Sequence, residues 1–136
     1  MRRLATIILL LAAAGCGGDK STAPKRLEGT YTLRTLDSQV LPVTVVDDPS
    51  QNFKGEIIGG SITLSAGGTF SAPWSFRTTD NGVVETFGET CTGTFTRSGN
   101  HLVLQETDDG SFCGGQFDGD WDGSDGFTEG TAVYRR

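Results

Sequence analysis

One histidine, three cysteines and one methionine among 136 residues leave little material for a metal centre or a redox couple. Cys91 and Cys113 stand too far apart for a zinc site and have no histidine pair to complete one. His101 directly follows Ser98-Gly99-Asn100 and reads as a hairpin-edge residue rather than a general base. Spacing alone reveals no Ser-His-Asp arrangement where serine and aspartate are plentiful, so we expect no enzymatic activity. Basic residues are scarce as well. Lys and Arg number 11 against 17 acidic residues, for a net charge of -6. Arg2 and Arg3 belong to the amino-terminal leader, so the remainder is more acidic still. Such a surface repels phosphate backbones and anionic headgroups, which argues against nucleic acid as a partner and leaves membrane contact to a covalent lipid. Helical periodicity is missing too: from Leu27 onward no window of about 11 residues spaces its apolar side chains at three and four.

Residues 1–15 place Arg2 and Arg3 ahead of an apolar run from Leu4 to Ala14, the order of a secretory signal peptide. A membrane helix needs about 20 apolar residues, so this run predicts export and removal rather than a permanent span. Ala13-Ala14-Gly15-Cys16 resembles the lipobox of bacterial lipoproteins, in which small residues precede a cysteine that is acylated and becomes the new amino terminus. The resemblance implies cleavage before Cys16, lipidation of Cys16 and attachment to a membrane of the cell envelope. Ala13 stands where the family usually has leucine, and Ala12-x-Ala14 offers ordinary signal peptidase a competing cut that would release a secreted protein. Gly17, where aspartate would stand otherwise, resembles the default signal for the outer membrane in a cell with two membranes. Residues 16–26 carry no aliphatic side chain larger than alanine and predict a flexible tether, whose last ten residues reach about 33 Å when extended. With Cys16 given to lipid, Cys91 and Cys113 form an even pair in an oxidising compartment, where a disulfide is the default. That bridge would close a loop of roughly 23 residues and contribute about 3 kcal/mol through loop entropy.

Residues 27–136 read as one all-β domain. Thr30-Tyr31-Thr32-Leu33 and Ser61-Ile62-Thr63-Leu64 alternate small polar with large apolar residues, the period of a half-buried strand. The clearest stripe is Phe70, Ala72, Trp74 and Phe76 at alternate positions. Pro73 within it donates no hydrogen bond and is expected at a bulge or an edge. Turn signals recur at Ala66-Gly67-Gly68, Asp80-Asn81-Gly82, Ser98-Gly99-Asn100, Asp108-Asp109-Gly110 and Asp122-Gly123. They predict roughly eight or nine short strands. Asp47 to Gly60 reads as one long irregular stretch, of the kind that forms lids and mouths.

Gly29-Thr30-Tyr31-Thr32-Leu33, Gly60-Ser61-Ile62-Thr63-Leu64 with Gly68-Thr69-Phe70, and Gly93-Thr94-Phe95 with Leu102-Val103-Leu104 recur in order. In this the chain resembles the lipocalin-like, calycin-type domains of bacterial lipoproteins, with Tyr31 in place of the tryptophan common in true lipocalins. The resemblance implies a small up-and-down antiparallel β-barrel of eight to nine strands, following the cleaved signal peptide and tether.

Two constellations bear on chemistry. Asp118, Asp120 and Asp122 at alternate positions, Gly123 at the turn, the Ser124 carbonyl and Glu129 satisfy the calcium-loop pattern. No helices flank that loop, Asp125 occupies a place that is normally aliphatic, and the same residues read as a strand end with the three aspartates toward solvent and Phe117, Gly119 and Trp121 inward. No other cofactor is implied. Tyr31, Phe70, Trp74, Phe76, Phe95 and Tyr134 are candidate ligand contacts, though in an eight-stranded barrel such side chains can equally fill the interior, and so short a chain favours filling. The leading expectation is a lipid-anchored, non-enzymatic envelope protein that binds a small hydrophobic molecule or an envelope component. An envelope protease inhibitor engaging its target through Asp47 to Gly60, and a calcium-stabilised structural domain, are the competing readings.

Overall fold

The computed structural model describes residues 26–107 and 112–136. Cys16, the leader, nearly all of the tether and the turn expected at Asp108-Asp109-Gly110 lie outside the described residues. The strands are β1 (Gly29–Leu36), β2 (Gln39–Val40), β3 (Val43–Asp48), β4 (Phe53–Leu64), β5 (Thr69–Asp80), β6 (Val83–Ser98), β7 (His101–Glu106), β8 (Gln116–Trp121), β9 (Gly126–Glu129) and β10 (Ala132–Arg135). From β4 to β10 each strand pairs antiparallel with the next, and β1 enters between the two ends, against β10 on one side and β4 on the other. Eight strands thereby close an up-and-down barrel, and β2 and β3 are two additions to it. The total of ten strands exceeds the expected eight or nine because a pairing as short as the two-residue β2 leaves no alternation to read.

Local chemistry accounts for the strand order. Asn81 and Gly82 both take positive φ, 48° and 83°, giving β5 and β6 a two-residue connection whose twist matches the strands. Pro73 lies in an interior strand, not at an edge. It is in register with Thr90 of β6, while on the other side the β4 to β5 ladder lapses between the Gly60 and Trp74 pair and the Thr63 and Ser71 pair. A residue without an amide hydrogen thus falls where that ladder is interrupted.

Asp47 to Gly60 is not an irregular stretch, and this corrects the expectation from sequence. Asp47 and Asp48 end β3, Phe53 begins β4, and Asp48 closes the connection by accepting from the Ser50 amide at 3.1 Å and the Ser50 hydroxyl at 2.6 Å. Gly59 and Gly60 belong to β4 beside a bulge between Ile57 and Gly59. A Cβ on Gly60 would come within 3.2 Å of Trp74 Cε3. Packing against that indole, rather than loop formation, explains the glycine. Past the bulge, the edge of β4 that served β3 is taken over by β1, which closes the barrel.

The core follows the alternation. Tyr31, Leu33, Ile62, Leu64, Leu102, Leu104, Phe127 and Tyr134 are each 2% exposed or less. Burial of side chains of this size stabilises by roughly 1.5–3 kcal/mol each before chain entropy is subtracted. Cys91 and Cys113 form the expected disulfide across 22 residues of sequence. Arg136 ties the carboxy-terminal end to the entry of the barrel. Its Nη2 lies 2.6–2.8 Å from the carbonyls of Arg26, Leu27 and Glu28 and from the Tyr31 hydroxyl, which in turn donates to the Leu27 carbonyl at 2.6 Å.

Candidate functional site

One end of the barrel is filled. The Tyr31 and Phe127 rings lie 6.2 Å apart and those of Phe127 and Tyr134 5.6 Å apart. Guanidinium groups cover this end, with Arg136 4.6 Å over Tyr31 and Arg97 4.9 Å over Trp121. The other end is hollow, contrary to the filled interior favoured from chain length. A cavity of about 240 Å³ is walled by Ile62 of β4, Phe70, Ala72 and Trp74 of β5, Leu104 and Glu106 of β7, Phe117 of β8 and Glu129 of β9, with Phe112 from the segment after β7. Phe112 meets Trp74 edge-on at 5.7 Å and Phe76 at 4.8 Å, and Phe87 stacks on Phe76 at 5.2 Å. The disulfide holds Phe112 in place, because the next residue is bonded to Cys91 of β6.

Two carboxylates interrupt this apolar wall. Leu102, Leu104 and Glu106 share the inward phase of β7, and Phe127 and Glu129 share that of β9, so each acid sits where its strand calls for a hydrophobe. Burial pushes the Glu129 carboxyl above its ordinary range and repulsion from Glu106 pushes it further, while a hydrogen bond with Tyr134 opposes both. The Tyr134 hydroxyl is raised in turn by burial and by the neighbouring Glu129 charge. Glu106 accepts a hydrogen bond from the Gly114 amide. A third acid, Glu89, faces Trp74 in the β5 to β6 register and approaches within 3.8 Å of the Cys113 sulfur.

The aromatic candidates divide between the two ends. Phe70 and Trp74 line the cavity, and Phe76 stands beside it against Phe112. Tyr31 and Tyr134 belong to the filled end, although the Tyr134 hydroxyl reaches Glu129, and Phe95 packs part-buried against the core. Ile62, Leu104, Glu106, Phe112 and Phe117 were not among the candidates. The acid at the inward phase of β7 was a usable signal for Glu106; Phe112 had none beyond its place next to Cys113.

The residues of the calcium pattern do not come together. Strand alternation turns Asp118 and Asp120 outward to His101, at 3.5 and 3.1 Å, whereas Glu129 turns inward to the cavity. Asp122 is already occupied. Its Oδ1 accepts from the Ser124 amide at 2.8 Å, the Ser124 hydroxyl at 3.0 Å and the Gly126 amide at 3.0 Å, and its Oδ2 pairs with Arg135 at 2.5 Å. Burial pushes the Asp122 carboxyl up, but those four partners outweigh it and bring it to about 2. The loop is therefore held by its own amides and an arginine. Among the described residues, the metal-ligating side chains that do converge are Cys91, Glu106 and Cys113, and the disulfide removes both thiolates from that group. Comparison with protein-family models, curated proteins and solved structures returns no match for this chain.

Proposed function

We propose that this chain is a lipid-anchored protein of the bacterial cell envelope whose lipocalin-like barrel binds a small hydrophobic molecule without catalysing a reaction on it. The observation that carries this reading is the cavity of about 240 Å³ at one end of a closed barrel whose other end is packed. Its walls are mainly aromatic and aliphatic, with a few polar groups, as small-molecule sites are. Support for export comes from the leader and the disulfide together, since disulfides persist in oxidising compartments. The tether and the lipid on Cys16 would keep the barrel at a membrane, the outer one in a cell with two membranes. The protease-inhibitor reading loses its loop, because Asp47 to Gly60 is largely sheet.

Native mass spectrometry of the exported protein tests the reading. A folded ion that retains a small organic molecule, released on unfolding, is the expected result. Only bare polypeptide, with no hydrophobic probe taken up, would overturn it. Incorporation of labelled fatty acid into the chain, abolished by Cys16→Ser, tests the anchor separately.

A further inference from the structure

We infer that the cavity takes a small hydrophobic amine, held as its ammonium ion between Glu106 and Glu129. This rests on the ligand-binding reading above and names the class of ligand. Both carboxylates line a cavity whose remaining walls are apolar, and Glu89 adds a third acid next to Trp74. Among the described residues the ion pairs lie elsewhere: Lys54 and Arg77 on Glu56, His101 on Asp118 and Asp120, and Arg135 on Asp122 and Asp125. Arg97 and Arg136 stack on aromatic rings at the filled end.

The chemistry discriminates between ligands. A neutral hydrophobe would seal the two carboxylates away from water without a counter-charge, and an anion would be repelled. An ammonium group offsets one of the two negative charges, donates up to three hydrogen bonds, and is attracted to the faces of aromatic walls such as Trp74 and Phe70. The Gly114 amide and the Tyr134 hydroxyl each contribute one hydrogen bond to these acids, which leaves carboxylate oxygens for the ligand. Size limits the rest of the molecule. The cavity of about 240 Å³ equals roughly eight liquid water volumes, room for one ring and a short alkyl arm.

Calorimetric titration of the exported, oxidised protein at neutral pH tests this with three probes that share a phenylethyl frame: 2-phenylethylammonium, 2-phenylethanol and 3-phenylpropanoate. The ammonium should bind at least tenfold tighter than the alcohol, and the propanoate should not bind. Glu106→Gln and Glu129→Gln should each narrow the gap between ammonium and alcohol to under threefold while the alcohol still binds, which also reports a folded cavity. Trp74→Ala should weaken both. Equal binding of ammonium and alcohol overturns the amine inference and leaves the ligand-binding reading standing. No binding by any of the three overturns both. An ammonium preference that survives in both glutamine variants, or ammonium binding that Trp74→Ala leaves unweakened, assigns the cation to the outer surface and overturns the site.

Discussion

Glu56 shows how much one residue can depend on register. It is 6% exposed on a strand, yet charged, because Lys54 lies 2.8 Å from one carboxylate oxygen and Arg77 2.7 Å from the other. The bond from Arg77, and then that from Lys54, bring its carboxyl from 4.5 down to about 2. A depressed native value means that the stabilisation is complete above 4.5 and is lost as pH falls through about 2. Thermal midpoints recorded from pH 6 to pH 2 should therefore fall less steeply below pH 4.5 in Glu56→Gln than in the parent; parallel curves would refute the pairing. The sequence alone does not reveal this, since Glu56 lies in the stretch that reads as irregular and its partner across the ladder, Arg77, is 21 residues away. Gly93 carries a different constraint. A Cβ there would run into the Gln105 carbonyl oxygen and come within 2.7 Å of Phe70 Cε1. Backbone cannot swing aside as a side chain can, so Gly93→Ala should cost about 1–3 kcal/mol in a urea titration. The Gly-Thr-Phe pattern flags that glycine, but only the pairing of β6 with β7 tells why alanine is excluded.

Among the elements, β5 and β8 were legible and the first half of β6 was not. Phe70, Ala72, Trp74 and Phe76 alternate cleanly, as do Phe117, Gly119 and Trp121, because each strand has one face on the core. The first six residues of the 16-residue β6 are all exposed, with Val83 at 62% and Phe87 at 52%, so no buried face imposes an alternation there. The turn between β1 and β2 lacks a sequence signal for a related reason: Asp37 and Ser38 adopt positive φ without a glycine to announce it. The Cys91 to Cys113 bridge was legible from cysteine arithmetic, but its consequence was not. It joins β6 to the segment that carries Phe112 to the cavity. Replacing both cysteines by serine should lower the unfolding free energy by about 3 kcal/mol, read from the denaturant midpoint. With Phe112 released from its place beside Trp74, the indole should also become more accessible to a soluble quencher under native conditions; unchanged quenching would show that Phe112 is held by packing alone.

For the molecule as a whole, the carboxylates work in opposite directions. Glu56 and Asp122, each brought to about 2, stabilise the barrel in their charged forms. Glu129 does the reverse, because burial and the Glu106 charge raise its carboxyl, so its ionised form weakens the fold. The sign follows from linkage: with a native value above the unfolded one, the penalty is complete at pH above the native value and disappears once pH has dropped below the ordinary 4.5. Glu129→Gln, which mimics the protonated form, should therefore raise the thermal midpoint at neutral pH, and the gain should shrink to nothing as pH falls toward 4. A substitution that lowered the midpoint at neutral pH would mean that the Tyr134 hydrogen bond outweighs the charge penalty. A chain that carries a net charge of -6 and still buries Glu129 inside its barrel near Glu106 is less stable, without a ligand, than the same fold with glutamine at position 129. That cost is the kind proteins bear at sites of function, where sequence rules are broken without a local structural gain. A cation that enters the cavity should remove it, so 2-phenylethylammonium should raise the midpoint of the parent more than that of Glu129→Gln. At a concentration of 100 times the dissociation constant the ligand-linked gain is about 2.7 kcal/mol for the parent. An equal rise in both proteins would separate ligand binding from the charge that Glu129 keeps inside the barrel.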